Sequence, residues 1–402
     1  RLFGPKGVGK TATARRRARS VLSLDVAENR QRHRADPELI TRLPPPVLID
    51  EWQREPDCWD VVRRHVDNGA AKGRYLLAGS ATVPEGTQIH SGAGRIVGFH
   101  MRPMSLPERA VAETTVSLSG LLAGGAVIEG STAVRLAHYV EELTASGLPG
   151  IRPQPPRMRR LLLDSYLDQA LSKELPEQGR AVRRPEALRA WLSAYAAATA
   201  TTASYERILA AATPGEGDKP SRGAVTRYRD ILSELYLLDP LPAWLPGRNR
   251  LKRLGQAPKH YLADPALAAR LLRVSPDALL AGNAETPRIA GADASLLGAL
   301  FEHLAALSVR VHAAGSEARV YHLRTERGEH EVDLIVETDD ARVVAFEVKL
   351  AQTVEDRDVR HLRWLSEQLG GNLVDAAVLT TGTHAYRRRD GIAVVPLALL
   401  GP

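Results

Sequence analysis

Gly4-Pro5-Lys6-Gly7-Val8-Gly9-Lys10-Thr11, almost at the start of the chain, fills every fixed position of the pattern G-x-x-x-x-G-K-[ST]. This pattern constrains the fold because it works as the turn between a strand and a helix. Its glycines let backbone N–H groups point inward around a triphosphate, Lys10 brings a compact charge to the β- and γ-phosphates, and the Thr11 hydroxyl can sit on Mg²⁺. Arg1-Leu2-Phe3 reads as the tail of the preceding strand, and Ala12 to Arg19 as the helix whose positive end faces the same anion. The chain opens on Arg1 rather than Met, and further sequence is expected to precede it. ATP with Mg²⁺ is the expected cofactor, cradled by Gly4, Pro5, Lys6, Gly7, Val8, Gly9, Lys10 and Thr11. Gly-rich turns also occur without a ligand, so the reading leans on a partner motif.

Val47-Leu48-Ile49-Asp50-Glu51 supplies one: a short apolar run closed by two carboxylates, as in a buried parallel strand that ends at a metal. Asp50 is expected to hold Mg²⁺ through water and Glu51 to polarise the attacking water. The plainer alternative is that the two acids cap the next helix. A second run, Tyr75-Leu76-Leu77-Ala78-Gly79-Ser80, ends in a hydroxyl, which makes Ser80 a polar sensor beside the γ-phosphate. Gly92-Ala93-Gly94-Arg95 follows in a loop from which Arg95 can reach a γ-phosphate in its own or an adjacent subunit, or simply be solvated. Action in trans requires a homo-oligomer.

Residues 1–115 alternate apolar runs (Val21 to Leu24, Val47 to Ile49, Tyr75 to Ala78, Ile96 to Phe99) with helical patterns, among them an amphipathic stretch from Trp52 to Asp67. Such alternation predicts an α/β domain with a parallel sheet and its ligand at the carboxyl ends of the strands. From Met101 onward strand signals vanish. Ala- and Leu-rich helical patterning fills 116–200, over Ala133 to Ser146, Arg157 to Leu175 and Pro185 to Ala200. In 201–275, Tyr205 to Ala212 and Ser221 to Leu235 resemble two helices of a winged-helix unit, joined by the turn-rich Thr213 to Asp218. The second carries Arg222, Arg227 and Arg229, and Arg248, Arg250, Lys252 and Arg253 follow where a wing would lie. These side chains can meet a DNA backbone or only solvate a face. Pro258 to Pro265 marks a further strand and turn.

Residues 276–402 return to α/β patterning and hold a separate constellation. Glu302 lies in an apolar helical run, Asp333 near the start of Glu331 to Val336, and Glu347 with Lys349 in Val343 to Lys349. Two residues apart on a strand, Glu347 and Lys349 emerge on one face. Carboxylates crowded in this way are costly without a cation, which suggests Mg²⁺ at Asp333 and Glu347, with Lys349 orienting a water for attack on a phosphodiester. The alternative is a surface hairpin with ion pairs between neighbours.

A net charge of +7, dominated by arginine, makes a polyanionic partner such as DNA an expectation. The single cysteine, Cys58, forbids an intrachain disulfide or a Cys-rich metal site, and no uninterrupted apolar stretch approaches the ~20 residues of a membrane span. A cytoplasmic protein without a membrane partner is expected.

Taken in order, Gly4 to Thr11, Leu48 to Gln53, Leu77 to Ser80, Gly94-Arg95, Pro103 to Leu106, Gly298 to Glu302, Glu331 to Asp333 and Glu347 to Lys349 resemble the prokaryotic AAA-like P-loop ATPases that carry a DUF4143 C-terminal region. The resemblance implies an AAA-like ATPase core, a helical and winged-helix middle, and a C-terminal restriction-endonuclease-like domain similar to PD-(D/E)xK nucleases. In that pattern Asp333, Glu347 and Lys349 occupy the metal and catalytic positions, and Glu302 the helical acidic position. Two functions follow as expectations: an ATPase that also cuts DNA with a metal, or an ATP-dependent switch that binds DNA without cutting it. A protein-remodelling ATPase with no nucleic-acid partner is the third.

Overall fold

The computed structural model describes residues 1–79, 93–174, 184–212, 222–245, 256–282, 296–325 and 328–402. Ser80, the Thr213 to Asp218 turn and the cluster Arg248, Arg250, Lys252 and Arg253 lie outside the described residues.

The N-terminal sheet is parallel throughout, in the order β2-β3-β4-β1-β5. Its strands are β1 (Leu2–Phe3), β2 (Ser20–Ser23), β3 (Val47–Asp50), β4 (Tyr75–Ala78) and β5 (Phe99–His100), with helices α1 (Lys10–Arg15), α2 (Ala27–Ala35), α3 (Leu39–Arg42) and α4 (Asp57–Asp67) between them. The apolar run of β3 is continuous because both its faces are covered. Val47 and Ile49 pack with Leu22, Trp52, Trp59 and Val62, whereas Leu48 packs on the other side with Ala14 and Ala78. Helix α1 stops at Arg15, short of the expected Arg19, because the chain must turn in time for Ser20 to begin β2; the Arg19 and Ser20 amides bond to Pro46 O. The stretch from Trp52 divides into a 3₁₀ turn (Trp52–Arg54) and α4, with Pro56 at the new helix start, where its missing N–H costs nothing.

Strand pairing does not end at Met101 as the sequence pattern suggests. Short β6 (Val116–Ser117) pairs in parallel with β13 (Leu400–Gly401), and α5 (Leu118–Ala123) lies on the C-terminal sheet, where Arg342 donates to Leu122 O. Beyond it, α6 (Leu136–Ala145), α7 (Pro156–Gln169) and the helices Pro185–Ala197, Tyr205–Ala212, Arg222–Glu234 and Pro265–Leu271 pack around Tyr139, Trp191 and Tyr195.

The C-terminal sheet has the order β11-β12-β10-β9-β8-β7. Strands β7 (Arg319–Arg324), β8 (Glu331–Glu337) and β9 (Val343–Lys349) form an antiparallel meander. After the helix Arg360–Leu369, β10 (Leu373–Thr380) joins β9 in parallel, β11 (Tyr386–Arg387) lies at the edge, and β12 (Ala393–Pro396) pairs with both. One face, with Leu334, Val336, Val344 and Phe346, packs in the same core as the helix Leu296–Gly315; the other, with Ile335, Val343 and Ala345, receives Leu362 and Leu365. The helix Leu296–Gly315 is, by length and composition, long and apolar enough to cross a bilayer, although Glu302 and Arg310 interrupt its apolar run. Its most apolar window is 61% buried inside the protein, as for a core helix.

Candidate functional site

The loop at the amino terminus turns because Gly7 and Gly9 adopt φ of 76° and 92°, left-handed values that glycine reaches without strain. Lys10 is buried, and its Nζ donates to Gly4 O at 2.8 Å and Pro5 O at 2.7 Å, so the ammonium lies inside the loop. Thr11 Oγ1 donates to Asp50 Oδ1 at 2.9 Å across thirty-nine residues of sequence. The parallel β1-β4-β3 arrangement makes that contact, since it ends β3 beside the helix that leaves the loop. Burial pushes the Asp50 carboxyl up, and the Thr11 hydroxyl and Arg15 oppose that rise. Glu51 takes a left-handed backbone, φ 53° and ψ 41°, at the strand end. Non-glycine strain of this kind clusters at functional sites. Gln53 Nε2 donates to Glu51 Oε2 at 2.6 Å and holds the carboxylate. A Cβ at Gly79 would come 2.2 Å from Gln53 Oε1, so a larger residue there would displace the Gln53 amide from its place beside Glu51.

This donor set fits a nucleotide with Mg²⁺. Bound MgATP would supply an electrophilic phosphorus; Lys10 and the loop amides would hold its phosphates, Thr11 and Asp50 the metal, and Glu51 would accept a proton from water.

The loop also touches the helical middle. Leu148 Cδ2 lies 3.9 Å from a Cβ built on Gly7, Pro149 Cγ 3.8 Å from one on Gly9, and Tyr166 donates to Lys6 O at 3.3 Å. Asp264 anchors that segment: Oδ2 accepts from Ser146 Oγ at 2.8 Å and Gly147 N at 2.7 Å, and Oδ1 from Ala266 N at 2.8 Å, capping the helix Pro265–Leu271. Asp264→Ala strands three buried donors and is expected to cost roughly 3–5 kcal/mol, read as a lower urea midpoint; Asp264→Asn, which keeps an acceptor, should lose less.

The second constellation assembles as well, but around a different cation. By register Asp333 faces Glu347, since Leu334 pairs with Phe346. Tyr321 pairs with Ile335 and Leu323 with Val332, so β8 has an extra residue in the stretch holding Asp333, a bulge of the sort that re-aims a side chain. Glu347 Oε2 accepts from Lys349 Nζ at 3.0 Å. Into this group projects Lys259, 1% exposed, whose Nζ lies 2.9 Å from Glu302 Oε1, 2.9 Å from Asp333 Oδ1 and 3.1 Å from Glu331 Oε1. Tyr261 also donates to Glu302 Oε1, and Val348 N to Asp333 Oδ2 at 2.9 Å. Burial alone would lower the Lys259 ammonium, but Asp333 and Glu302 raise it well above the usual lysine value. Burial works to raise Asp333; Lys259 and Lys349 outweigh it and hold the carboxyl at about 2. Burial pushes Glu302 up to about 7, and burial with the Asp333 charge pushes Glu347 well up.

Mg²⁺ is the expected occupant at Asp333 and Glu347, and the structure places the ammonium of Lys259 beside Asp333 and that of Lys349 beside Glu347. The crowded carboxylates Glu302, Glu331 and Asp333 share the ammonium of Lys259 as their cation.

Arg95 is exposed and ion-paired to Asp67, at the end of α4 from which the chain returns to start β4. Because Tyr75 opens β4 opposite Val47, this is the end of the sheet remote from Asp50, so the structure does not bring Arg95 to its own loop. Of the arginines expected to face DNA, Arg227 is exposed, while Arg229 lies over the Tyr205 ring at 5.2 Å. The sequence reading missed Gln53, Asp264, Tyr261 and Lys259. The last three sit in the strand-and-turn segment Pro258 to Pro265, and the one available signal was a lysine beside the apolar Tyr261 to Ala263.

Residues 1–110 match the family model of an AAA domain, 136–278 that of a domain of unknown function (DUF8612), and 297–400 that of another (DUF4143). The chain is similar to uncharacterized proteins of Mycobacterium bovis and Mycobacterium tuberculosis, at 28% identity over 407 residues, covering 98% of this chain and 79% of each relative. No solved structure matches. The AAA match, together with the N-terminal parallel sheet, supports a general ATPase role.

Proposed function

We propose that this chain is an ATP-hydrolysing switch that binds DNA without cutting it. The Thr11–Asp50 hydrogen bond carries the nucleotide half of the reading, because it unites the loop and the acidic strand end as a Mg²⁺–triphosphate site requires. Lys10, Thr11, Asp50 and Glu51 act in hydrolysis, Ser80 serves as a sensor, and Arg95, turned away from its own loop, is available to a neighbouring copy in a homo-oligomer. The contacts of Leu148, Pro149 and Tyr166 with the loop give the helical middle a means of responding to nucleotide. DNA is the proposed partner on the strength of the +7 charge and exposed arginines such as Arg227.

The test is ATP turnover with and without single- and double-stranded DNA. Lys10→Ala is expected to abolish nucleotide binding and turnover, and DNA should stimulate the unsubstituted protein in a salt-sensitive way. Unchanged turnover in Lys10→Ala removes the nucleotide reading; absent or salt-insensitive DNA affinity points instead to protein remodelling.

A cleaving alternative draws on Asp333, Glu347 and Lys349 standing together, at the positions to which the PD-(D/E)xK resemblance gives metal and catalytic roles. Lys259 weighs against it. Incubation with DNA, ATP and Mg²⁺ or Mn²⁺ decides: cutting by the unsubstituted chain that is lost in Lys349→Ala would overturn the non-cleaving part.

A further inference from the structure

Four carboxylates, Glu302, Glu331, Asp333 and Glu347, converge from one helix and two strands, and two ammoniums stand among them. Lys259 comes from outside both the helix and the sheet. Its segment is fixed at either end of a short stretch: the Lys259 amide and carbonyl exchange hydrogen bonds with Leu241, each at 2.9 Å, and Asp264 holds the segment that touches the nucleotide loop. Three carboxylate oxygens of three residues lie within 3.1 Å of one nitrogen, an oxygen tripod like those that hard divalent cations accept. Glu347 Oε1 is buried in the same group without a hydrogen-bond partner among the described residues, so the ammonium does not satisfy every oxygen present.

We propose that Lys259 is a tethered internal cation that fills a latent divalent-cation site made by Glu302, Glu331, Asp333 and Glu347, so that metal can enter only when Lys259 is withdrawn or replaced. One ammonium carries a single charge against several carboxylates, and a divalent ion offers twice that charge to the same oxygens. With Lys259 in place, its buried ammonium occupies the point where oxygens of Glu302, Glu331 and Asp333 meet, the position a metal ion would take. The inference does not depend on the nucleotide reading, and it supplies the physical cause of the non-cleaving one.

The test uses Mn²⁺ without nucleotide, in a Thr11→Ala background that removes the other metal position. Electron paramagnetic resonance counts bound ions, and thermal melting reports stability. The Lys259-containing chain is expected to bind no Mn²⁺ at the cluster and to melt at the same temperature with or without it. Lys259→Met, similar in length and uncharged, should melt lower and bind one additional Mn²⁺ per chain. Mn²⁺ should then restore much of the lost melting temperature, because a ligand that binds only the folded state stabilises it. Adding Asp333→Asn to Lys259→Met should abolish the additional ion. If Lys259→Met folds only with Mn²⁺ present, the site is supported equally. Should it fold in neither condition, Lys259→Gln is carried through the same measurements. Two results overturn the proposal: Mn²⁺ bound by the Lys259-containing chain and lost in Glu347→Gln, or no gain of Mn²⁺ in either Lys259 variant.

Discussion

Asp50→Asn is expected to lower ATP turnover by about two to three orders of magnitude while leaving the fold intact. The substitution keeps an oxygen at the position of Oδ1, so Thr11 Oγ1 retains its acceptor at the end of β3. What is lost is the negative charge that the metal needs, and charge stabilisation by a bound metal is worth several kcal/mol, each 1.4 kcal/mol being a factor of ten in rate. Circular dichroism and the melting temperature should barely change, because Asp50 faces a hydroxyl rather than a buried cation. Nucleotide binding measured without Mg²⁺ should survive in Asp50→Asn and disappear in Lys10→Ala. Turnover in Asp50→Asn within a few-fold of the parent would remove Asp50 from the metal position.

A large loss of stability is expected from Asp239→Ala. Asp239 accepts from Arg102 Nε at 2.6 Å and from one Arg310 terminal nitrogen at 2.7 Å; the other donates to the Asp239 carbonyl at 2.6 Å. Arg102 follows β5, and Arg310 lies on the helix Leu296–Gly315, so one carboxylate joins the N-terminal sheet, the helical middle and the C-terminal domain. All three side chains are only 13% exposed. Alanine would leave two guanidiniums close together with no counter-charge, a change of about 3–5 kcal/mol, which lowers the melting temperature by roughly 4–6 °C in a chain of this size. Burial works to raise the Asp239 carboxyl, but Arg310 and Arg102 hold it well below the usual carboxylate range. A depressed carboxylate stabilises above the pH at which the unfolded residue titrates, about 4, and that contribution fades as pH falls through the folded value. The parent should therefore lose this lock only in strong acid, and the difference between parent and Asp239→Ala should be constant from pH 8 to pH 5. A melting temperature within about 1 °C of the parent at pH 7, about 1 kcal/mol at this chain length, would show that the lock carries little.

How far these features are legible in the sequence depends on whether their cause is local. The loop Gly4 to Thr11 announces itself because its geometry follows from glycines and a lysine at fixed spacing, and the strands Val47–Asp50, Tyr75–Ala78, Glu331–Glu337 and Val343–Lys349 follow from runs of apolar residues that two covered faces require. The one-sided placement of Glu347 and Lys349 follows from strand period alone. Other elements depend on partners far away in the chain. Strand β6 exists only because Leu400 and Gly401 arrive beside it, and two residues show no pattern of their own. The bulge at Asp333 is a property of three strands in register, not of any one.

The acidic cluster marks the boundary most sharply. Local pattern determined that carboxylates from the helix Leu296–Gly315 and from β8 and β9 could meet, and elementary electrostatics required a cation among them. Which cation it would be was decided only by the tertiary fold, because Lys259 lies forty-three residues before Glu302 and seventy-four before Asp333 and has no periodic relation to either. Charge demand is set by residue type and is therefore written in the sequence. The identity of the charge that meets it is set by three-dimensional proximity, which the packing of the 259–264 segment against the C-terminal sheet alone supplies.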